Sequence, residues 1–282
     1  MLADLHTHSI YSDGLHSPDE ICRLAKARGL SLLSITDHDT LAGEEVKQAA
    51  AKRHGLAYVT GWEISAYVGD QKIHTLGYGC ELGDAYYAFM MERRKASALR
   101  AEDSVQKLQK LGIPVTMEEV YMQLSSPDLP IHTMHVARAV AGHLCVSASD
   151  VYMRYLGYGK PANSTLGRPT PKEAIDCIHA SGGLAVIAHP GRIEMDFEEK
   201  EQMLRQMKEW GVDGIEAVYT SHTEEETEYF LRLAKELDLL VTGGSDTHYE
   251  EDKSGYHARN PIVGFPSFTP SKELLERLKI IK

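Results

Sequence analysis

Basic side chains are in short supply in this chain. Lys and Arg total 30 against 41 Asp and Glu in 282 residues, a net charge of −11 with histidine neutral. That deficit disfavours a broad electrostatic grip on extended duplex nucleic acid, so a phosphorylated substrate has to meet positive charge that is local. Cysteine is scarce as well. Cys22, Cys80, Cys145 and Cys177 stand apart with no CxxC pair, which argues against a disulfide scaffold and for reduced thiols in a cytoplasmic protein. No run approaches the roughly eighteen apolar residues of a membrane span, and the opening residues lack the basic-then-apolar layout of a secretory signal. What remains is a soluble cytoplasmic protein without membrane association, whose apolar residues, 43% of the chain, suffice for a sizeable core.

The length suits one large domain or a domain with an inserted subdomain. In the first half, short β-like runs alternate with helical patterns. LADLH precedes SPDEICRLAKARG, where Ser17 and Glu20 predict a capping box, Pro18 fits the first turn and Gly29 ends the helix. LSLLSIT reads as a buried strand, GEEVKQAAAKRHG as a helix, and LAYVTGWE and QKIHTLGYG as strands of a hairpin turning at Gly69-Asp70. From about Asp84 a long charged helical pattern begins, and no strand-like run follows until LAVIAHP. Residues 98–166 therefore read as a helical insertion, large enough to cover a pocket, between barrel segments 1–97 and 167–282. Alternation resumes at TPKEAIDCIHASGG, where Thr170 and Glu173 predict a second capping box, and continues through GIEAVY and LLVTGGSDTH. Repeated β-then-α units favour a parallel sheet or barrel, here with about seven strands.

The metal-friendly residues fall at strand ends. His6 and His8 end the first strand, Asp37 and His38 the second, Glu63 the third; His74 lies in the fourth, His189 follows LAVIA, and Asp246 and His248 follow LLVTGGS. In parallel α/β barrels such ends converge on one mouth. A residue and its second neighbour in extended chain face the same way, so HxH and DxH each deliver two ligands to one side. Imidazoles and carboxylates without thiolate suit zinc, manganese or iron in a reactive rather than purely structural role. Taken singly, each motif has a plainer reading as surface or capping residues; His16, His54 and His179 have no partner and receive no role, and Asp37 could equally cap the next helix. The joint pattern at five strand ends is what outweighs those readings.

HTHSIYSDG, TDHDT, the glutamate of GWEIS, the histidine of KIHTLGYG, AHPGR and GSDTH, in that order, resemble the successive signatures of the PHP (polymerase and histidinol phosphatase) superfamily. The helical insertion is similar to that of its TrpH-like freestanding nucleotide phosphoesterases. This resemblance implies an α/β fold, a distorted (β/α)7 barrel with an inserted small helical subdomain, and three divalent metal ions (Mn, Zn or Fe). It further implies His6, His8, Glu63 and Asp246 on one metal, Asp13, His38 and His248 on a second, and His74, His189 and the other Glu63 oxygen on a third. A metal-bridging hydroxide held among His6, His8, Asp13 and Glu63 would attack phosphorus.

Three such ions, set against Asp13, Glu63, Asp246 and a hydroxide, leave the cleft about two units positive, which a phosphate dianion balances. Candidate substrate contacts are Arg192, Lys160, His222 and His135, with Arg192 best suited to bidentate binding. His222 is also a candidate proton donor to the leaving oxygen. The expected activity is hydrolysis of phosphate esters of nucleotides or short oligonucleotide ends, for example 3′,5′-bisphosphorylated nucleotides. The alternatives are a 5′-to-3′ exoribonuclease, a histidinol-phosphate-type phosphatase and, from a different class, a non-catalytic metal-binding scaffold. An amidohydrolase would share the barrel logic, but Arg192 and Lys160 suit phosphate better. The oligomeric state is not encoded in any of these motifs.

Overall fold

The computed structural model describes residues 1–69, 71–124, 126–127, 129–248 and 263–281, so Asp70 of the expected hairpin turn lies outside the described residues. The elements in chain order are β1 (Ala3–Asp4), α1 (Pro18–Ala27), β2 (Leu32–Leu33), α2 (Glu44–Arg53), β3 (Ala57–Tyr58), β4 (Gly61–Val68), β5 (Gln71–Tyr78), α3 (Asp84–Lys110), α4 (Met117–Tyr121), α5 (Thr133–Leu144), α6 (Ala148–Val151), α7 (Pro171–Ala180), β6 (Leu184–Ile187), α8 (Phe197–Glu209), β7 (Gly214–Tyr219), α9 (Glu224–Glu236), β8 (Leu240–Gly244) and α10 (Lys272–Arg277). Two compact units result, one formed by Met1–Tyr86 with Pro169–Lys282 and the other by Tyr87–Arg168. The second unit contains the 98–166 stretch read from sequence as a helical insertion.

In the first unit, regular ladders run β1-β2-β3 and β4-β5-β6-β7-β8. Backbone hydrogen bonds join these two sheets at both margins. On one side the Glu63 N–H donates to the Asp37 carbonyl and the Asp39 N–H to the Glu63 carbonyl. On the other, Leu5 donates to Gly243, Asp246 to His6 and His8 to Thr247. Because β4 continues β3 after two residues, the ring has seven strand positions, the distorted (β/α)7 barrel expected. One strand departs from the parallel arrangement: β5 pairs antiparallel with both β4 and β6. The direct return from Val68 to Gln71 requires this, since a parallel return would need a long crossover.

Local signals act where the sequence places them. Ser17 caps α1, although Glu20 turns to Arg23 and so leaves that capping box half made. Thr170 and Glu173 form the complete reciprocal box at α7. Ala3, Leu5, Leu32, Leu76, Val186, Ala188 and Phe268 pack together as one apolar cluster, and a second joins α1 and α2 to Leu33 and Ile35. The helical unit has its own core of Val105, Leu108, Val115, Val136, Val140 and Leu156. Among the described residues, no helix is long and apolar enough to cross a membrane.

Candidate metal centre

The cluster is built on the seam between β1 and β8. Thr7 and Thr247 form a parallel bridge, and the residues flanking them, His6, His8, Asp246 and His248, bring their ligand atoms to one place. Close approach here depends on Gly244, where a Cβ would fall 2.3 Å from that of His6. Across the barrel a bridge between His38 and Glu63 places those two side by side, and the antiparallel register of β5 with β6 brings His74 next to His189. Asp39, His189 and Asp246 all have positive φ, at 52°, 28° and 56°. Strained non-glycine backbone concentrated at one place is the usual mark of a functional site.

Four donor atoms converge first. His6 Nε2 and His8 Nε2 lie 3.1 Å apart, each 3.3–3.4 Å from Glu63 Oε2, with Asp246 Oδ1 3.4 and 3.0 Å from them. Beside them, Asp13 Oδ1 is 3.3 Å from His248 Nε2 and Asp13 Oδ2 is 3.8 Å from His38 Nε2. The other Glu63 oxygen, Oε1, lies 2.7 Å from His74 Nδ1 and 3.0 Å from His189 Nε2. His38 stands between the groups, with its Nδ1 2.9 Å from Glu63 Oε2. His6, His8 and Glu63 are fully buried, whereas the Asp13 side chain is 31% exposed, so the cluster opens toward solvent at Asp13.

Burial raises carboxylate pKa values, yet the surrounding imidazoles hold Glu63, Asp246 and Asp13 well below the usual range, so all three are anionic at neutral pH. Glu63 Oε2 and Asp246 Oδ1 are nevertheless buried without a hydrogen bond. These two anionic oxygens converge with the Nε2 atoms of His6 and His8, each oxygen 3.0–3.4 Å from both nitrogens. This donor set fits a divalent cation.

Several supporting residues escaped the sequence reading. Glu216 on β7 accepts from His6 Nδ1 at 3.0 and 3.1 Å and from the His189 backbone N–H at 2.8 Å. Tyr219 donates its hydroxyl to Asp246 Oδ2 at 2.8 Å. Asp37 caps no helix; its carboxylate takes the Ser9 N–H and hydroxyl and the Ser12 hydroxyl and pairs with Lys47 Nζ at 2.7 Å, fixing the loop that carries Asp13. Asp4 similarly ties β1 to the backbone N–H groups of Ser245 and Gly264. The only sequence signal for Glu216 was a charge inside the otherwise apolar run GIEAVY, and Lys47, in the charge-rich helix GEEVKQAAAKR, carried none.

Arg192 reaches the cluster, with its Nη1 3.0 Å from Asp246 Oδ2 and 3.1 Å from the Tyr219 hydroxyl, and its side chain stays 34% exposed. His222 has a different environment from the one a proton donor needs. Its Nε2 accepts the Gly191 N–H and its Nδ1 donates to the Ala217 carbonyl, both at 3.0 Å. Burial lowers its pKa, and these bonds fix a neutral tautomer with no N–H aimed at the cluster. In the helical unit Lys160 is exposed, and His135 is buried with its Nδ1 accepting the His132 N–H at the start of α5.

An α/β barrel whose strand ends converge on a thiolate-free cage of imidazoles and carboxylates belongs to the class of metal-dependent hydrolases. Within that class the chain belongs to the PHP domain family, whose sequence profile matches residues 4–210. It is 35% identical to a 5′-3′ exoribonuclease of Haemophilus influenzae, over 87% of this chain and 89% of the relative. It is 31% identical to a 3′,5′-nucleoside bisphosphate phosphatase of Chromobacterium violaceum, over 87% and 86%. Identity is also 31% with a phosphoribosyl 1,2-cyclic phosphate 1,2-diphosphodiesterase of Eggerthella lenta, over 94% of this chain and 98% of the relative. A solved amidohydrolase from Chromobacterium violaceum with bound sulfate superposes with a TM-score of 0.82 at 29% identity, covering 99% of this chain and 96% of that one.

Proposed function

We propose that the chain is a metal-dependent phosphoesterase acting on nucleotides or short oligonucleotide ends, with 3′,5′-bisphosphorylated nucleotides as the leading substrates. The carrying observation is the placement of Glu63, whose two oxygens face separate histidine groups, His74 and His189 on one side and His6, His8 and His38 on the other. That arrangement supports three cations: one on His6, His8, Glu63 and Asp246, one on Asp13, His38 and His248, and one on His74, His189 and Glu63. Ligand atoms gather in the groups His6–His8–Glu63–Asp246, His8–Asp13–His38–His248 and His38–Glu63–His74, with His8, His38 and Glu63 each shared between two of them. When bound, manganese, zinc or iron supplies Lewis acidity toward phosphoryl oxygens and brings the pKa of water toward neutrality.

The chain's own residues orient and neutralise. Arg192, held against Asp246 at the solvent margin, presents a guanidinium to a phosphate oxygen. His222 works by holding Gly191, and with it the turn that carries His189 and Arg192. For Lys160 and His135 the substrate-binding role rests on the family resemblance alone; K160A and H135A should raise KM with little change in kcat. The reduced, isolated cysteines support a cytoplasmic location.

Exonucleolytic trimming of RNA from the 5′ end is the second reading, favoured by the Haemophilus relative. The net charge of −11 favours short substrates over long strands. The test is turnover by manganese-loaded protein across 3′,5′-bisphosphorylated nucleosides, cyclic phosphates and 5′-phosphorylated RNAs of two lengths at two salt concentrations. Phosphate release from the bisphosphate supports the leading reading. A preference for the long strand that collapses with salt would transfer the assignment to the exoribonuclease, and no turnover on any phosphoester would overturn both.

A further inference from the structure

Glu216 has its side chain fully buried and is the one charged residue of β7, GIEAVY. A buried carboxylate is costly unless each oxygen is engaged, and Glu216 engages both with the metal cage itself. Toward β1 it takes the Nδ1 hydrogen of His6; toward β6 it takes the backbone N–H of His189. The two contacts do different work. Both Glu216 oxygens lie within hydrogen-bond distance of His6 Nδ1, which makes Nδ1 the donor and turns Nε2 into the cage. The His189 N–H lies where the chain has the unusual φ of 28°, and the bond pins that turn so that the imidazole reaches Glu63 Oε1. His6 and His189 belong to different cation positions.

We propose that Glu216 is a positioning residue that couples the first and third cation positions, so that one carboxylate sets the affinity of both while the Asp13–His38–His248 position is independent of it. This inference rests on the metal-centre reading above. It is also specific to the carboxylate. Each Glu216 oxygen lies 3.0–3.1 Å from His6 Nδ1, so in either orientation a glutamine points its amide N–H at that donor, and its single oxygen is left as the acceptor for both His6 and the His189 N–H. The isosteric change E216Q should therefore weaken two positions without removing volume from the wall.

The experiment is metal stoichiometry and affinity, read by elemental analysis and chelator competition, on intact wild type, E216Q, E216D and D13N, with thermal melting of the metal-free proteins as the control for folding. Wild type should bind three ions per chain. E216Q should keep one ion at wild-type affinity and bind the other two about 10–100-fold more weakly, the usual effect of losing a hydrogen bond that orients a ligand. D13N should show the complementary pattern, weakening one position and sparing two. If E216Q does not fold, E216D serves, since the carboxylate set back by one methylene cannot span both donors and should weaken the same two positions.

Unchanged stoichiometry and affinity in folded E216Q, or loss confined to a single position, would overturn the coupling while leaving the metal centre intact. A wild-type chain that binds no divalent ion would instead remove the metal-centre reading, and the coupling with it.

Discussion

The buried ion pair of Lys47 with Asp37 offers a perturbation whose size can be worked out in advance. Lys47 lies on α2 with no exposed surface, its Nζ 2.7 Å from Asp37 Oδ2. Replacing it by methionine keeps most of the volume and removes the charge. Breaking a buried pair by deleting one partner costs about 3–5 kcal/mol, because the other charge stays behind. Asp37 retains three hydrogen bonds from Ser9 and Ser12, which places K47M near the lower end, about 3 kcal/mol. Unfolding entropy of about 2.1 cal/mol/K per residue converts that into a fall of about 5 °C in Tm. Because Asp37 also anchors the loop bearing Asp13, K47M should weaken cation binding at Asp13, His38 and His248. Calorimetry of metal-free K47M, D37N and the double variant is the assay. The two changes should be non-additive by about 2 kcal/mol, as expected for residues in contact. A K47M protein melting within 1 °C of wild type (about 0.6 kcal/mol on the same scale), or strictly additive losses, would refute the pair's role in organising the loop.

Other expectations concern the cluster and the thiols. In the metal-free protein, Asp13, Glu63 and Asp246 sit below their ordinary pKa despite burial, so their stabilisation is present above about pH 4 and lost as the pH falls. Against the opposing effect of burial, His6 is raised by Glu216 and then Glu63 and Asp246, His8 by Asp246 and Glu63, and His248 by Asp13 and Asp246, so their stabilisation is complete below about pH 6.5 and lost as the pH rises. Tm of the metal-free protein should therefore peak between these limits, and loading with manganese should abolish the alkaline fall; a metal-free Tm that climbs steadily from pH 6 to 8 would contradict this. For H222Q, loss of a turn-holding residue predicts a fall in kcat of no more than about tenfold and an unmoved alkaline limb of the pH profile, where loss of a general acid costs about 10²–10⁴. Among the thiols, burial pushes Cys22 and Cys80 up to about 12 and Cys177 is also buried, so a thiol reagent should label Cys145 at once and the other three only on unfolding.

The parts of the site that sequence reveals are those that follow chain periodicity. HTH and DTH each place two ligands two residues apart, the spacing that in extended chain turns both to one side, so the His6–His8 and Asp246–His248 pairs are legible without a structure, although Asp246 itself takes a φ of 56°. The two capping boxes read equally well, up to the side-chain choice of Glu20, which Arg23 draws away. What periodicity does not carry is a partner distant in sequence. Glu216 looks like the polar member of an alternating strand, and Lys47 like a solvated position on a helix rich in charge, yet both are buried because Glu216 meets His6, 210 positions away, and Lys47 meets Asp37. The environment of His222 is illegible for the same reason, since it depends on two backbone groups that any residue could supply. The antiparallel course of β5 follows from the tight return at Gly69, the hairpin signal that the sequence itself carries.

Glu63 is the residue on which the metal-centre reading turns, because its two oxygens face separate histidine groups. Phosphate release from a 3′,5′-bisphosphorylated nucleoside, followed with manganese-loaded wild type and E63Q alongside their bound-metal content, is the decisive measurement. Wild type should turn over only when metal-loaded, and E63Q should lose bound metal and at least about 10³-fold of the rate, since one neutral amide cannot replace a carboxylate shared by two cation positions. Phosphate release that survives exhaustive chelation, or an E63Q protein that keeps both its metal and its activity, would contradict a phosphoesterase built around this cluster.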